Sequence, residues 1–293
     1  MLIGSIFFAA MGLFTESLAN EYSFAWIAAI RSAIATVLAA TLVIYHRASF
    51  AVFRPASLWM RSLAGCAAML CIFFAMTHFD VAVVLSLTSM YPIWVAVLGW
   101  PLLGHWPTRD TWIALAISTA GMWLIYSSAT GGSFDIHRHA HYMPQVAIPL
   151  AALASMLSAV ALIGLHRVKE LDPRAVVTHF SAVSTAICFL AWTVLPQGQL
   201  YTPRGIDSSW RLLAVGVTAM FGQLFLTKAF SAGRPARISV IGLSQVAVAA
   251  GYKWVVEGHV PSTVGCIGML MVLGATTWVM LRQQPATESQ PAE

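Results

Sequence analysis

Residues 24–45 read FAWIAAIRSAIATVLAATLVIY, twenty-two residues interrupted by one charge, Arg31. A helix that crosses the hydrocarbon core of a bilayer needs about 20 mostly apolar residues, so this stretch is long enough to span one. Working outward, breaks at charges, prolines and polar clusters leave nine more blocks of the same kind. They are Leu2–Leu18, Trp59–Thr77, Val81–Leu102, Thr111–Ser127, Ala147–Arg167, Ala175–Leu195, Trp210–Ser231, Ala236–Val256 and Thr263–Leu281. A transmembrane β-barrel would instead show alternating segments of about 10 residues. Of the 293 residues, 59% are hydrophobic and only 9% charged, whereas soluble domains carry about 25% charged residues. Such a chain could not hide its apolar surface in water. Disordered, coiled-coil, disulfide-rich and nucleic-acid-binding classes are excluded on the same grounds. Cys66, Cys71, Cys188 and Cys266 all fall in apolar stretches without metal or redox spacing and read as small hydrophobes. The fold expected is an all-α integral membrane protein of ten helices.

Lysine and arginine set the expected orientation, because cytoplasmic loops hold the excess of them. With the N-terminus inside, inner connections carry eleven (Arg47, Arg54, Arg61, Arg109, Arg167, Lys169, Arg174, Lys228, Arg234, Arg237 and Arg282) against Arg138, Arg204 and Arg211 outside. Arg31 and Lys253 fall within spans. Both termini are therefore predicted to be cytoplasmic, in a multi-pass protein of the cell inner membrane. Residues 282–293, polar and proline-containing, read as a disordered cytoplasmic tail.

The chain repeats itself at an offset of 154 residues. Gly104-His105-Trp106-Pro107-Thr108 returns as Gly258-His259-Val260-Pro261-Ser262, and Ala75, Ala82 and Trp100 return as Ala229, Ala236 and Trp254. Five spans precede the midpoint loop and five follow it. An odd number per repeat places the halves in opposite senses, an arrangement used by transporters with a site at the midplane. The expected divisions are residues 1–127, an external loop at 128–146, residues 147–281, and the tail.

Three features together carry a family resemblance. They are Arg31 in the second span, Leu87-x-x-x-Tyr91-Pro92 in the fourth, and the turn Leu102-Leu103-Gly104-x-x-Pro107 before a span with Gly121. The second half repeats the turn as Gly258-x-x-Pro261, followed by Gly265 and Gly274. The sequence resembles the drug/metabolite transporter superfamily, specifically its ten-helix EamA-type group. Two positions depart from the family pattern: His105 and His259 stand where glutamate usually follows the turn glycine, and Val246 stands where a proline would match Pro92. The resemblance implies alternating access by two inverted five-helix repeats.

Candidate functional residues follow from the cost of polar groups in hydrocarbon. Arg31 lies about 10 Å inside its span at 1.5 Å per residue. It has two readings: an ion pair with Glu16 that ties the first two spans together, which is favoured, and recognition of a substrate carboxylate. Tyr91 and Gln245 are repeat-equivalent and central in their spans, and Gln223 is central in the eighth. Trp94 shares a face with Tyr91, and Tyr252 shares one with Gln245. Tyr91, Trp94, Gln223, Gln245, Tyr252 and Arg31 are thus expected to line a cavity for a small amphipathic solute. Glu16, His179 and Glu257 are candidates for proton coupling, although His179 reads better as a satisfied core histidine and Glu257 stands i,i+4 from Lys253. The loop run His137-Arg138-His139-Ala140-His141 has the alternation of a metal site, but solvated loops of this kind are commoner. No metal or cofactor is expected, and no phosphate-binding loop or nucleophile–base set occurs in the spans. The function expected is secondary transport, chiefly export, of small organic metabolites such as amino acids. The alternatives are export of a metallophore or drug, or a polytopic enzyme acting on lipid with His78-Phe79-Asp80 at its centre.

Overall fold

A computed structural model of the chain describes residues 1–18, 21–49, 55–76, 88–104, 106–129, 144–194, 206–257 and 262–281. These form eleven helices and, among the described residues, no strand. They are α1 (Leu2–Leu18), α2 (Phe24–Tyr45), α3 (Ala56–Met76), α4 (Tyr91–Leu103), α5 (Arg109–Ala129), α6 (Pro144–Arg167), α7 (Pro173–Val194), α8 (Ile206–Ala232), α9 (Pro235–Gly242), α10 (Ser244–Glu257) and α11 (Thr263–Leu281). Prolines mark many of the starts, since a first-turn residue needs no N–H partner and the ring presets φ: Pro55 precedes α3, Pro92 opens α4, and Pro173 and Pro235 begin α7 and α9. The N-cap Ser23 hydroxyl accepts from Trp26 N at 3.3 Å to start α2, satisfying one orphan donor. The turn after α4 closes at Gly104, with φ +69°.

Among the described residues four helices are long and apolar enough to cross a membrane by length and composition: Phe24–Tyr45, Ala56–Ala75, Pro173–Val194 and Ser209–Ala232. Their outer surfaces match. Val37 on α2 is 65% exposed, Leu190 on α7 63%, and Leu213 on α8 54%. Large apolar side chains projecting around a bundle's circumference belong against lipid.

The limits of α1, α2 and α11 coincide with the blocks expected from the sequence. Two expectations are corrected. The third span begins at Ala56, not Trp59, and Arg61, counted with an inner connection, is a residue of this helix. The expected ninth span is two helices, α9 and α10, meeting at Leu243. There the chain tightens to i→i+3 bonds, Leu243 N to Val240 O and Val246 N to Leu243 O, both 3.0 Å. Ser244 Oγ donates to Ile241 O at 2.7 Å, drawing a carbonyl away from the regular ladder. Of the expected fourth span, residues 81–87 lie outside the described residues.

Helix limits recur at the 154-residue offset. Leu103 and Glu257, the ends of α4 and α10, stand 154 apart, as do Arg109 and Thr263, the starts of α5 and α11. The packing partners follow the same order: α1 lies on α8 and α3 on α6, while α2 pairs with α7, α4 with α9 and α5 with α11. Exchanging the two halves maps this set onto itself, so the main contacts join one half to the other. One close approach among them is α5 on α11, where a Cβ added at Gly121 would meet Gly268 O at 2.7 Å and Met271 Cβ at 2.9 Å. At one end, Arg211 stitches α8 to the α1–α2 turn through Glu21 Oε1 at 2.7 Å and Ser17 O at 3.0 Å.

Candidate functional site

Between α2 and α3 of the first half and α7 and α8 of the second lies a buried polar group. Its members are Arg31, Arg61, Ser62, His179 and Gln223, none more than 9% exposed. Helical spacing brings them together. Arg61, Gly65 and Met69 follow at four-residue intervals on one face of α3, and Phe180, Ser184 and Cys188 do so on α7. The group borders a buried apolar cluster that includes Cys66, Met69, Phe73 and Cys188.

Arg31 Nη1 donates to Met69 Sδ at 2.9 Å, and the guanidinium lies 5.8 Å from the centre of the Phe73 ring. The ion pair expected with Glu16 is not formed. Glu16, in the last turn of α1, is half-buried, while Arg31 turns toward Met69 and Phe73 of α3.

Arg61 is the residue the sequence reading missed. Its Nη2 donates to Gln223 Oε1 at 2.8 Å, and its guanidinium sits 4.2 Å from the Phe180 ring centre. Since arginine can only donate, the amide oxygen must face it, leaving the Gln223 nitrogen as a further donor. Gly65 makes this possible: a Cβ there would collide with Arg61 Nη1 and approach Phe180 Cε2 to 2.9 Å. Beside it, Ser62 Oγ and His179 Nδ1 are hydrogen-bonded at 2.8 Å, and the His179 ring meets Trp59 edge-on with centroids 4.7 Å apart.

The remaining candidates lie elsewhere. Tyr91 Oη donates to Ser239 O at 3.2 Å, against Gly242 where α9 ends. Trp94 Nε1 donates to Ser155 Oγ at 3.1 Å with the indole 38% exposed. Gln245 and Tyr252 are half-buried on α10. No hydrogen bond or ring contact joins Tyr91 or Trp94 to the arginine group among the described residues. Glu257 ends α10, but its side chain and that of Lys253 lie outside the described residues, as do His105, His259, residues 78–80 and the histidines of residues 137–141. Among the described residues no cluster of three His, Cys, Asp or Glu side chains could hold a metal. A surface groove beside α4 and the start of α9 is lined by Val95, Gly99, Trp106, Arg234 and Arg237.

The EamA-like transporter family matches residues 1–127 and again 145–281. The chain belongs to this family. Its EamA-type halves correspond to the two helix sets whose packing interchanges above. The chain is similar to the pseudopaline exporter CntI of Pseudomonas aeruginosa (strain UCBPP-PA14), with 25% identity over 282 residues that cover 94% of this chain and 92% of that protein. It is also similar to YwfM of Bacillus subtilis (strain 168), described as an uncharacterized transporter, at 28% over 200 residues, 68% of this chain and 64% of that one. A solved crystal structure shares the fold over 96% of both chains, with a TM-score of 0.81 at 16% identity. This EamA-like transporter is therefore a helical membrane protein whose family moves small solutes.

Proposed function

We propose that this chain is a secondary exporter of small organic metabolites, amino-acid-like in character, working by alternating access of two inverted halves in the inner membrane. One observation carries this reading. The buried polar group takes Arg31 and Arg61 from the first family match and His179 and Gln223 from the second, so relative motion of the halves would open and close a site built from both. The exporter relative, aligned over nearly the whole of both chains, supports the direction. A lipid-modifying enzyme is less well supported, since its sequence candidate is the run His78-Phe79-Asp80 alone.

The divisions at 1–127, 128–146, 147–281 and 282–293 follow from the repeat, and both termini are placed in the cytoplasm. With Arg61 left out, ten basic residues still stand in or within a few residues of the inner connections against three at the outer ones, so the bias that sets orientation persists. Reporter fusions at Gly131 and after Glu293 are expected to score on opposite sides of the membrane, the second inside. Both on one side, or an external C-terminus, would overturn the arrangement.

Transport is tested with the full chain in proteoliposomes, by counterflow of a labelled metabolite panel with and without a pH gradient. Saturable exchange well above protein-free vesicles is expected for an amino-acid-like solute. Counterflow of a drug or metallophore alone would redirect the substrate class, and none at all would remove the reading. Loss of gradient-driven transport in His179→Gln, with exchange kept, would make His179 the proton carrier. Full retention would leave it as the partner of Ser62.

A further inference from the structure

We infer that the buried guanidiniums of Arg31 and Arg61 form the binding site for an organic carboxylate, the anionic group of the transported solute. The inference rests on the exporter reading and gives its site a chemistry.

The two arginines are 6% and 4% exposed. Removing a cation from water is expensive unless an anion or several acceptors replace the lost hydration. What replaces it here is meagre. Arg31 has a thioether and a phenyl face, and Arg61 has one amide oxygen and a phenyl face. A guanidinium carries five donors, and Arg61 Nε finds no acceptor among the described residues.

Other arginines of this chain show what structural service looks like. Arg211 holds a carboxylate and a carbonyl, Arg174 pairs with Asp172, and Arg167 donates to Leu102 O at 2.8 Å. Each is at a helix end and bonded to oxygen. Among the described residues the ion pairs are Arg174 with Asp172 and Arg211 with Glu21, and none joins a carboxylate to Arg31 or Arg61. A bound solute would supply the counter-ion these two cations call for.

The surroundings fit a carboxylate borne on carbon. Phe73 and Phe180 lie against the two cations, which an aromatic face stabilises without taking up an N–H donor, and a planar guanidinium is the group best shaped to hold a carboxylate. The Gln223 nitrogen adds a neutral donor. The apolar side chains around the two cations, Met69, Phe73 and Phe180 among them, favour an anion carried on carbon over the hydration shell of a free inorganic ion.

The test uses the purified full-length chain in detergent and follows its unfolding midpoint at constant ionic strength. Glutamate, glutarate, 2-oxoglutarate and citrate are compared with glutaramide, which has no carboxylate, and with inorganic phosphate and sodium chloride. At least one carboxylate should raise the midpoint saturably, because a ligand that binds only the folded state stabilises it. The neutral twin should not. Arg31→Lys, which keeps the charge but loses the fork, and Arg61→Met should each weaken the apparent affinity at least tenfold. A third variant does not depend on truncating an arginine: Met69→Glu supplies an internal carboxylate beside Arg31, and should raise the ligand-free midpoint and abolish the response. The inference is overturned if glutaramide matches glutarate, if only phosphate binds, if no carboxylate shifts the midpoint, or if the response survives both arginine variants. Counterflow of neutral solutes without any carboxylate preference would remove this assignment and leave the exporter reading standing. Midpoint shifts with no counterflow of any solute would do the reverse.

Discussion

Gly65→Ala is expected to leave a folded bundle that has lost most of its transport. The added methyl would meet Arg61 Nη1 and, at 2.9 Å, Phe180 Cε2. The guanidinium is the end of a flexible side chain, so it yields before the backbone does. Displaced, it gives up both Gln223 Oε1 and the Phe180 face. A hydrogen bond to a charged group contributes about 1.5–3 kcal/mol, so the apparent affinity for solute should fall by roughly 10- to 100-fold. Helical content and the elution profile in detergent should match wild type. Undiminished counterflow by Gly65→Ala would show that the position of Arg61 does not matter to transport.

Gly121→Leu is expected to have the larger effect on folding. The obstacle there is backbone: Gly268 O at 2.7 Å, with Met271 Cβ at 2.9 Å and Val272 Cγ2 at 3.0 Å from an added Cβ. Overpacking by a few methylenes costs about 1–3 kcal/mol in ordinary cores. Here the helices must separate, and α5 on α11 is one of the principal contacts between the halves. Extraction in mild detergent followed by size-exclusion should give little monodisperse Gly121→Leu and an intermediate yield of Gly121→Ala. Gly12→Ala, with nothing within 4 Å of its added Cβ, should match wild type. Normal recovery of Gly121→Leu would contradict the close approach.

The helices were legible because bilayer thickness imposes a length and the flanking residues punctuate it. Phe24–Tyr45 ends where Ser23 caps it and where the apolar run gives way to His46 and Arg47, and both signals are local. Arg61 escaped for an equally physical reason. Counting basic residues toward loops assigns an arginine near the edge of an apolar block to the cytoplasm, even Arg61, which stands two residues inside the expected block Trp59–Thr77. The local signal that it turns inward is Gly65 four residues on, a small residue under a large cation. The partnership with Gln223 was not legible, because it joins residues 162 positions apart and depends on α3 facing α8 across the halves. Gln223 was singled out correctly as an amide needing a partner in hydrocarbon, but nothing in the sequence says which one. The break at Leu243 was hidden too, since Ile241-Gly242-Leu243-Ser244 has helical hydropathy and the interruption comes from a serine hydroxyl competing for a carbonyl.

The separation of Arg61 from Gln223 also has a consequence for biosynthesis. A ribosome adding about 5–20 residues per second needs roughly 8 to 30 seconds to make the 162 residues between them. During that interval α3 must enter the bilayer with its arginine unaccompanied by its eventual amide. Its place near the Pro55 end, five residues after the helix begins, lets the side chain reach back to the headgroups meanwhile. Arg61 is thus a late-buried charge, drawn inward only when the second half of the chain is in place, and a nascent chain stalled before α8 would still wear it at the membrane surface.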